Sequence, residues 1–266
     1  MIQTVHMDHL ERFYTNNAHD PPKKLGRDDD SIFVISYNVH GWKNYNPKIS
    51  IYDNYTSIKK MISSYNLDIV ALQHVEVDNK LTLDKIIDDF KKDGYNYYAR
   101  CPDRDGHMIT FSKHRIKIAK CMNIKIHKTD RTCMCIRIKG FTFVVVHLDV
   151  GERPHHLDPN DIKRKEMEYN NELRRKWQLQ RIFNAFGYMD AIIGDFNFAI
   201  NTPEFQMMLT EKQFTWDGIN NDTTPYNRTD YMFLNSKSKY KIINSRIIRC
   251  NYSDHLPIVT EFNKNG

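Results

Sequence analysis

No stretch of the 266 residues approaches the roughly 18 consecutive apolar positions of a membrane-spanning helix, so no span is expected. The opening segment, MIQTVHMDHLERFYTNN, holds acids and no apolar core, and does not read as a secretory signal. Cysteine is sparse: Cys101, Cys121, Cys133, Cys135 and Cys250 form no CxxC pair. Their odd count and scattered spacing argue against a disulfide framework and against a zinc site. Buried, reduced thiols are the expectation, with Cys133 and Cys135 on one face of a strand. No internal repeat stands out. A soluble intracellular protein, cytoplasmic or nuclear and monomeric, is the default reading, with no protein partner inferable.

What is present is an ordinary soluble balance, 40% hydrophobic and 27% charged, in a chain long enough to bury a sizeable core. Aromatics reach 12%, mostly Tyr and Phe, which suits β-rich structure. A net charge of +6 suggests an anionic partner: nucleic acid, a phospholipid surface or a phosphorylated metabolite.

Residues 1–30 are polar and end in PPKKLGRDDD, which reads as a surface lead-in; 31–266 reads as one domain. IFVISYN (32–38), LDIVALQ (67–73) and MDAIIG (189–194) are short apolar runs with the signature of buried strands. Helical spacing predicts helices over 54–65, 81–92 and 162–186. In the last of these, Met167, Leu173, Trp177, Leu179, Ile182, Phe183 and Phe186 are candidate core residues. Five strand-like runs fill 95–148, with Lys139-Gly140 as a hairpin turn, and three more lie near 229–235, 241–249 and 256–262. Two βα-type blocks, each leading into runs of strands, fit two sheets packed face to face with helices outside.

Polar residues cluster where these strands end: Tyr37-Asn38-Val39-His40-Gly41-Trp42, Gln73-His74-Val75-Glu76, His147-Leu148-Asp149, Gly194-Asp195-Phe196-Asn197, Arg228-Thr229-Asp230 and Ser253-Asp254-His255. Each alone reads as a turn or a cap. Together they form the set that phosphate-ester hydrolysis needs: carboxylates for a divalent cation, amides for phosphate oxygens, an Asp to activate water, and a His beside an acid.

The ordered series SYNVHGW, DIVALQHVEV, VVVHLD, IIGDFN, RTDYMF and SDHLPI, spanning 31–262, resembles the endonuclease/exonuclease/phosphatase superfamily, the DNase I-like proteins. The resemblance implies a four-layer α/β/β/α sandwich of two mostly antiparallel sheets flanked by helices. It implies a metal-dependent phosphodiesterase using Mg²⁺ or Mn²⁺, in which water attacks in line without a covalent intermediate. Carried over by position, Asn38 and Asp254 serve the metal side and Asp195 orients or deprotonates water. Asn197 holds a phosphate oxygen, His255 is oriented by Asp230 and stabilises developing charge, and His147 assists the phosphate or leaving group.

The resemblance fails at one position. After Leu-Gln the pattern has a metal-binding Glu, and this chain has His74. Imidazole suits softer divalent ions better than Mg²⁺. Either His74 stays a ligand and the metal preference shifts, or Glu76 substitutes, or metal binding is lost. Strand residues two apart share a face at an offset of about 6.6 Å, so substitution by Glu76 needs a bulge or a bridging water.

Nucleic acid, DNA or RNA, is the leading substrate class, and the loop before RTDY broadly resembles that of tyrosyl-DNA phosphodiesterases. Trp216 and Tyr226 are candidate stacking residues and Arg228 a candidate phosphate contact. The basic runs 163–165 and 174–176 read as the solvated face of the long helix. The segment GERPHHLDPND (151–161), with His155 and His156, reads as a polar loop beside the site. A lipid or small-molecule phosphoesterase of the same fold and a non-catalytic phosphate- or nucleic-acid-binding protein are the alternatives.

Overall fold

The computed structural model describes residues 30–126, 130–152, 158, 160–225 and 227–264. β1 (Ser31–Asn38) is buried along its whole length, and its alternation sends side chains to two different apolar layers. Phe33, Ile35 and Tyr37 face one layer, with Ile58 and Ile62 of helix α1 (Ile51–Ser63) and Ile86, Ile87 and Phe90 of α2 (Leu83–Lys92). Ile32 and Val34 face the other, against Phe143, Val145, Ile193 and Met232 of a second sheet. Such strands read as continuous hydrophobic runs because neither face meets water.

The first sheet has the order β11-β12-β1-β2-β4-β3 and the second β5-β6-β7-β8-β10-β9. Their strands are β2 (Ile69–Val75), β3 (Tyr97–Asp103), β4 (Gly106–Ser112), β5 (Ile116–Asn123), β6 (Thr132–Ile138), β7 (Phe141–His147), β8 (Ala191–Asp195), β9 (Phe214–Trp216), β10 (Asp230–Asn235), β11 (Lys241–Ile247) and β12 (Ile258–Asn263). Each sheet contains one parallel pair, β1 with β2 and β7 with β8, and is otherwise antiparallel. A parallel pair needs a crossover, supplied by α1 in the first sheet and by α3 (Ile162–Phe186) in the second. A third apolar layer, with Val144, Val146, Ile192 and Phe233, packs under α3 and α4 (Pro203–Thr210). The result is the expected four-layer sandwich, and among the described residues no helix is long and apolar enough to cross a membrane.

The expected strands and hairpin are all present; Lys139-Gly140 joins β6 to β7 with both residues at positive φ. Three short elements have no expected counterpart: β9, α4 and a 3₁₀ turn over His40–Trp42. Helix α4 was legible as a start signal, Thr202 capping Phe205 N ahead of Pro203 at the first helical position.

Two expectations are corrected. Cys101 and Cys121 form a disulfide, with Cα atoms 5.8 Å apart, whereas Cys133, Cys135 and Cys250 are buried thiols. Cys101 lies on β3 and Cys121 on β5, edge strands of different sheets, so the pair meets only when the sheets stack. Within α3, Leu179 and Ile182 are buried and Phe183 and Phe186 partly so, but Leu173 and Trp177 are exposed. Asn171, Arg175 and Gln178 occupy the inner face instead.

Candidate functional site

Parallel pairs point their C-terminal ends the same way, and the site forms where the two pairs meet. β1 ends at Asn38, β2 at His74 and Val75, β7 at His147 and β8 at Asp195. The antiparallel neighbours contribute their starts: Asp230 opens β10 opposite Asp195, and the loop carrying Asp254 and His255 enters β12.

Asp195 is the hub. Its Oδ2 accepts hydrogen bonds from Asn38 Nδ2 at 3.0 Å and Asn197 Nδ2 at 3.2 Å, and its Oδ1 accepts from the Asn197 backbone N–H at 2.9 Å. The Asn38 amide is oriented by its own loop, because its Oδ1 accepts from the His40 backbone N–H at 3.0 Å. Two imidazoles face the same carboxylate oxygen, His147 Nε2 at 3.6 Å and His255 Nε2 at 3.8 Å. Each has a buried Asp behind it. His255 Nδ1 lies 2.9 Å from Asp230 Oδ2, and His147 Nδ1 lies 3.0 Å from Asp103 Oδ2. Asp103 also accepts from Arg131 Nη1 at 2.9 Å and from the Thr132 backbone N–H.

The charges follow from this packing. Burial would lower the His255 pKa, but the carboxylates of Asp230 and Asp195 outweigh it and raise it to about 10. Burial pushes Asp230 up against the pull of His255, and the raised His255 makes the pair an imidazolium facing a carboxylate. Burial likewise works against Asp103, yet its hydrogen bond to His147 and the charges of His147 and Arg131 hold it below the usual carboxylate range.

On the first-sheet side the polar groups are less enclosed. Leu72 pairs with Ile109 and Val75 with His107, so β2 spends one residue more than β4 here. This is a β-bulge, with His74 in the left-handed region at φ 54°. It brings His74 Nε2 to 3.0 Å from Glu76 Oε1. Glu76 also meets Lys43 Nζ at 3.1 Å, and its carboxylate lies over Gly41, where a Cβ would stand 2.6 Å from Cδ. His40 Nδ1 lies 3.2 Å from Asp254 Oδ1, and the His40 and His74 rings meet edge-on at 5.3 Å. Burial lowers the pKa of both imidazoles, and the neighbouring His147 and His40 lower that of His74 further.

Asn38, His74, Glu76, His147, Asp195, Asn197, Asp230, Asp254 and His255 thus gather at one edge. Two of the three substrate candidates, Arg228 and Trp216, do not. Arg228 is buried, and its guanidinium donates to Asp217, to the Ile219 carbonyl and to the Asp230 carbonyl, which leaves it braced inside the fold rather than facing a phosphate. Trp216 packs edge-on against Phe205 at 5.3 Å as part of the third apolar layer. Tyr226, His155 and His156 lie outside the described residues. The sequence reading missed Asp103 and Arg131 as partners of His147, and His40 as the partner of Asp254. DRDG (103–106) signals only a turn, and His40 lay in plain view inside SYNVHGW.

The sequence matches no protein-family model and no curated protein. In structure the chain is similar to an endonuclease/exonuclease/phosphatase from Beutenbergia cavernae (TM-score 0.66, 15% identity, 89% of this chain and 72% of that one). It is similar to the human nocturnin catalytic domain with bound sulfate (TM-score 0.61, 17% identity, 90% and 95%). A third is D. rerio TDP2 complexed with a single-strand DNA product (TM-score 0.58, 18% identity, 88% and 100%). At these identities the likeness is one of fold.

Proposed function

On this endonuclease/exonuclease/phosphatase fold, we propose a divalent-metal-dependent phosphodiesterase that hydrolyses nucleic acid. The observation that carries the reading is the hub at Asp195: a buried carboxylate clamped by two amides, with two acid-backed imidazoles facing it. Asp195, held in one orientation by Asn38 and Asn197, accepts the proton of an attacking water. His255 carries its positive charge where negative charge grows on the phosphate. His147, backed by Asp103, faces the same point from the second sheet and serves the leaving oxygen.

A divalent cation fits the donors present: two carboxylates, Glu76 and Asp254, and two imidazoles, His40 and His74, stand beside Asn38 at the open rim. When bound, it would supply charge stabilisation on the phosphate and leaving oxygen. The net charge of +6 and the DNA product carried by the TDP2 neighbour support a polynucleotide substrate. Arg104 and Arg174, each 4.0 Å from the carboxylate of Asp149 just beyond His147, offer cations for its backbone.

The test is cleavage of labelled single- and double-stranded DNA and RNA in Mg²⁺, Mn²⁺, Co²⁺ and Zn²⁺, with Asp195→Asn as control. Cleavage that vanishes in Asp195→Asn supports the reading; cleavage that persists at full rate, or none of any nucleic acid in any ion, overturns it.

A further inference from the structure

We infer that His40, His74, Glu76 and Asp254 form a site for a first-row transition-metal ion of the Mn²⁺ to Zn²⁺ series, selective against Mg²⁺. This deepens the proposed function by naming the ion's class and its ligands.

The donors come from three separate segments: the loop after β1, the bulged end of β2, and the loop before β12. They stand as two imidazole–carboxylate pairs side by side, His40 with Asp254 at 3.2 Å and His74 with Glu76 at 3.0 Å, with the rings in edge contact between them. Two carboxylates supply the charge for a dication. Two imidazoles supply nitrogen, which ions of this series accept readily and Mg²⁺, needing oxygen and retaining its waters, does not.

A pair of surface ion pairs is the plain alternative, and such contacts contribute little to stability. The local backbone is shaped around these side chains at a conformational cost that so small a gain does not explain. His40, Trp42 and His74 all take the left-handed conformation, rare for residues with a Cβ. Gly41, also left-handed, lies where any side chain would strike the Glu76 carboxyl group. The bulge at His74 is what lets Glu76 reach a position that strict alternation denies it.

The four side chains are 14 to 40% exposed, so they have room to turn onto an ion, and Lys43 must release Glu76 as they do so. Among the described residues only Asp195, Asp230 and His255 already hold donor atoms within 4.8 Å of one another, so the four rim side chains must converge on the ion, whereas each of the buried three already has a protein partner in a closed interior. They are the competing location for the ion.

The experiment is calorimetric titration of the metal-stripped full chain, without substrate, with CoCl₂ and with MgCl₂, together with the visible absorption of the Co²⁺ form. Co²⁺ is expected to bind one per chain and more than about tenfold tighter than Mg²⁺. His40→Ala, His74→Ala and Glu76→Gln are each expected to weaken Co²⁺ by about 10- to 100-fold and to alter its spectrum. His74→Glu should tighten Mg²⁺ and narrow the gap, an outcome that misfolding cannot mimic, while Asp230→Asn leaves Co²⁺ affinity unchanged. Equal affinity for the two ions overturns the site, as does Co²⁺ binding that is lost in Asp230→Asn but indifferent to His40, His74 and Glu76. Cleavage in Mg²⁺ without a Co²⁺ preference would retain the phosphodiesterase and remove this site. Tight Co²⁺ binding with no cleavage in any ion would do the reverse.

Discussion

The two parallel strand pairs deliver side chains to one edge by the same device, yet the two sides of that edge are held in different ways. On one side, His147, Asp195 and Asp230 are 3%, 1% and 2% exposed. Their polar atoms are held by named partners: Asp103, Asn38, Asn197 and His255. On the other, His40, Glu76 and Asp254 are 39 to 40% exposed and lean on a single neighbour or two. A buried charge must be fully partnered, so changing one member of the closed side strands the others. Water can solvate His40, Glu76 and Asp254 on the open side, where His74 is 14% exposed. The closed side accordingly follows the pattern that the sequence resembles, and the departure at His74 falls on the open side.

The comparison predicts the largest effect at the hub. If the closed side carries the proton transfer, Asp195→Asn lowers single-turnover cleavage by about 10²- to 10⁴-fold at any metal concentration. His40→Ala, on the open side, should instead show a loss that saturating metal largely restores. Equal, metal-independent losses from both would erase the distinction.

Stability should divide the same way. Asp103→Asn leaves Arg131, 2% exposed, with Asp105 as its one remaining carboxylate, and should cost about 1–3 kcal/mol in urea unfolding. Asp254→Asn, on the exposed rim, should cost under about 1 kcal/mol. The pH dependence has a definite sign. The Asp103 pKa is lowered in the fold, so its contribution is complete above the ordinary Asp value of about 3.9 and is lost as pH falls through the lower folded value. Asp103→Asn should flatten the decline of the urea midpoint below pH 4 relative to the native chain, and an unchanged slope would count against this assignment.

A smaller effect concerns the strap between the sheets. The Cys101–Cys121 bridge closes a 20-residue separation, for which chain entropy gives about 3 kcal/mol at most. Cys121→Ser should lower the melting temperature under oxidising conditions and be indifferent to reductant, with the native chain falling to meet it when reduced.

What the sequence revealed and what it hid divide along similar lines. Strands buried on both faces, such as 32–38 and 141–147, announce themselves because apolar residues fill both faces, and the six polar segments follow them in order. Contacts between sheets are not encoded locally. Asp103 reaches His147 across 44 positions, and Cys101 finds Cys121 only through stacking. Arg228 and Trp216 looked like ligand contacts because type and position suit that role, whereas Arg228 is buried on Asp217 and Trp216 packs against Phe205.

Helix α3 gives the finest version of the comparison, since within one helix the usual roles of polar and apolar residues are exchanged. Asn171 faces inward and its amide holds both backbone groups of Glu152, accepting from N–H at 2.9 Å and donating to the carbonyl at 2.8 Å. Gly151, at φ 75°, permits this approach, since a Cβ there would lie 2.2 Å from Asn171 Cγ. Gln178 accepts from the Asp149 backbone N–H at 2.9 Å. These inward amides anchor the chain that leaves His147, which is why the helix buries them and leaves Leu173 in water. Asn171→Ala should therefore cost about 1–3 kcal/mol, the net contribution of two part-buried hydrogen bonds. Leu173→Gln, a loss of an apolar side chain that hydrophobic periodicity places in the core, should change stability by no more than about 0.5 kcal/mol. Thermal unfolding of the two variants side by side decides it: the reverse order would mean that the inner face of α3 is the one that the apolar spacing marks.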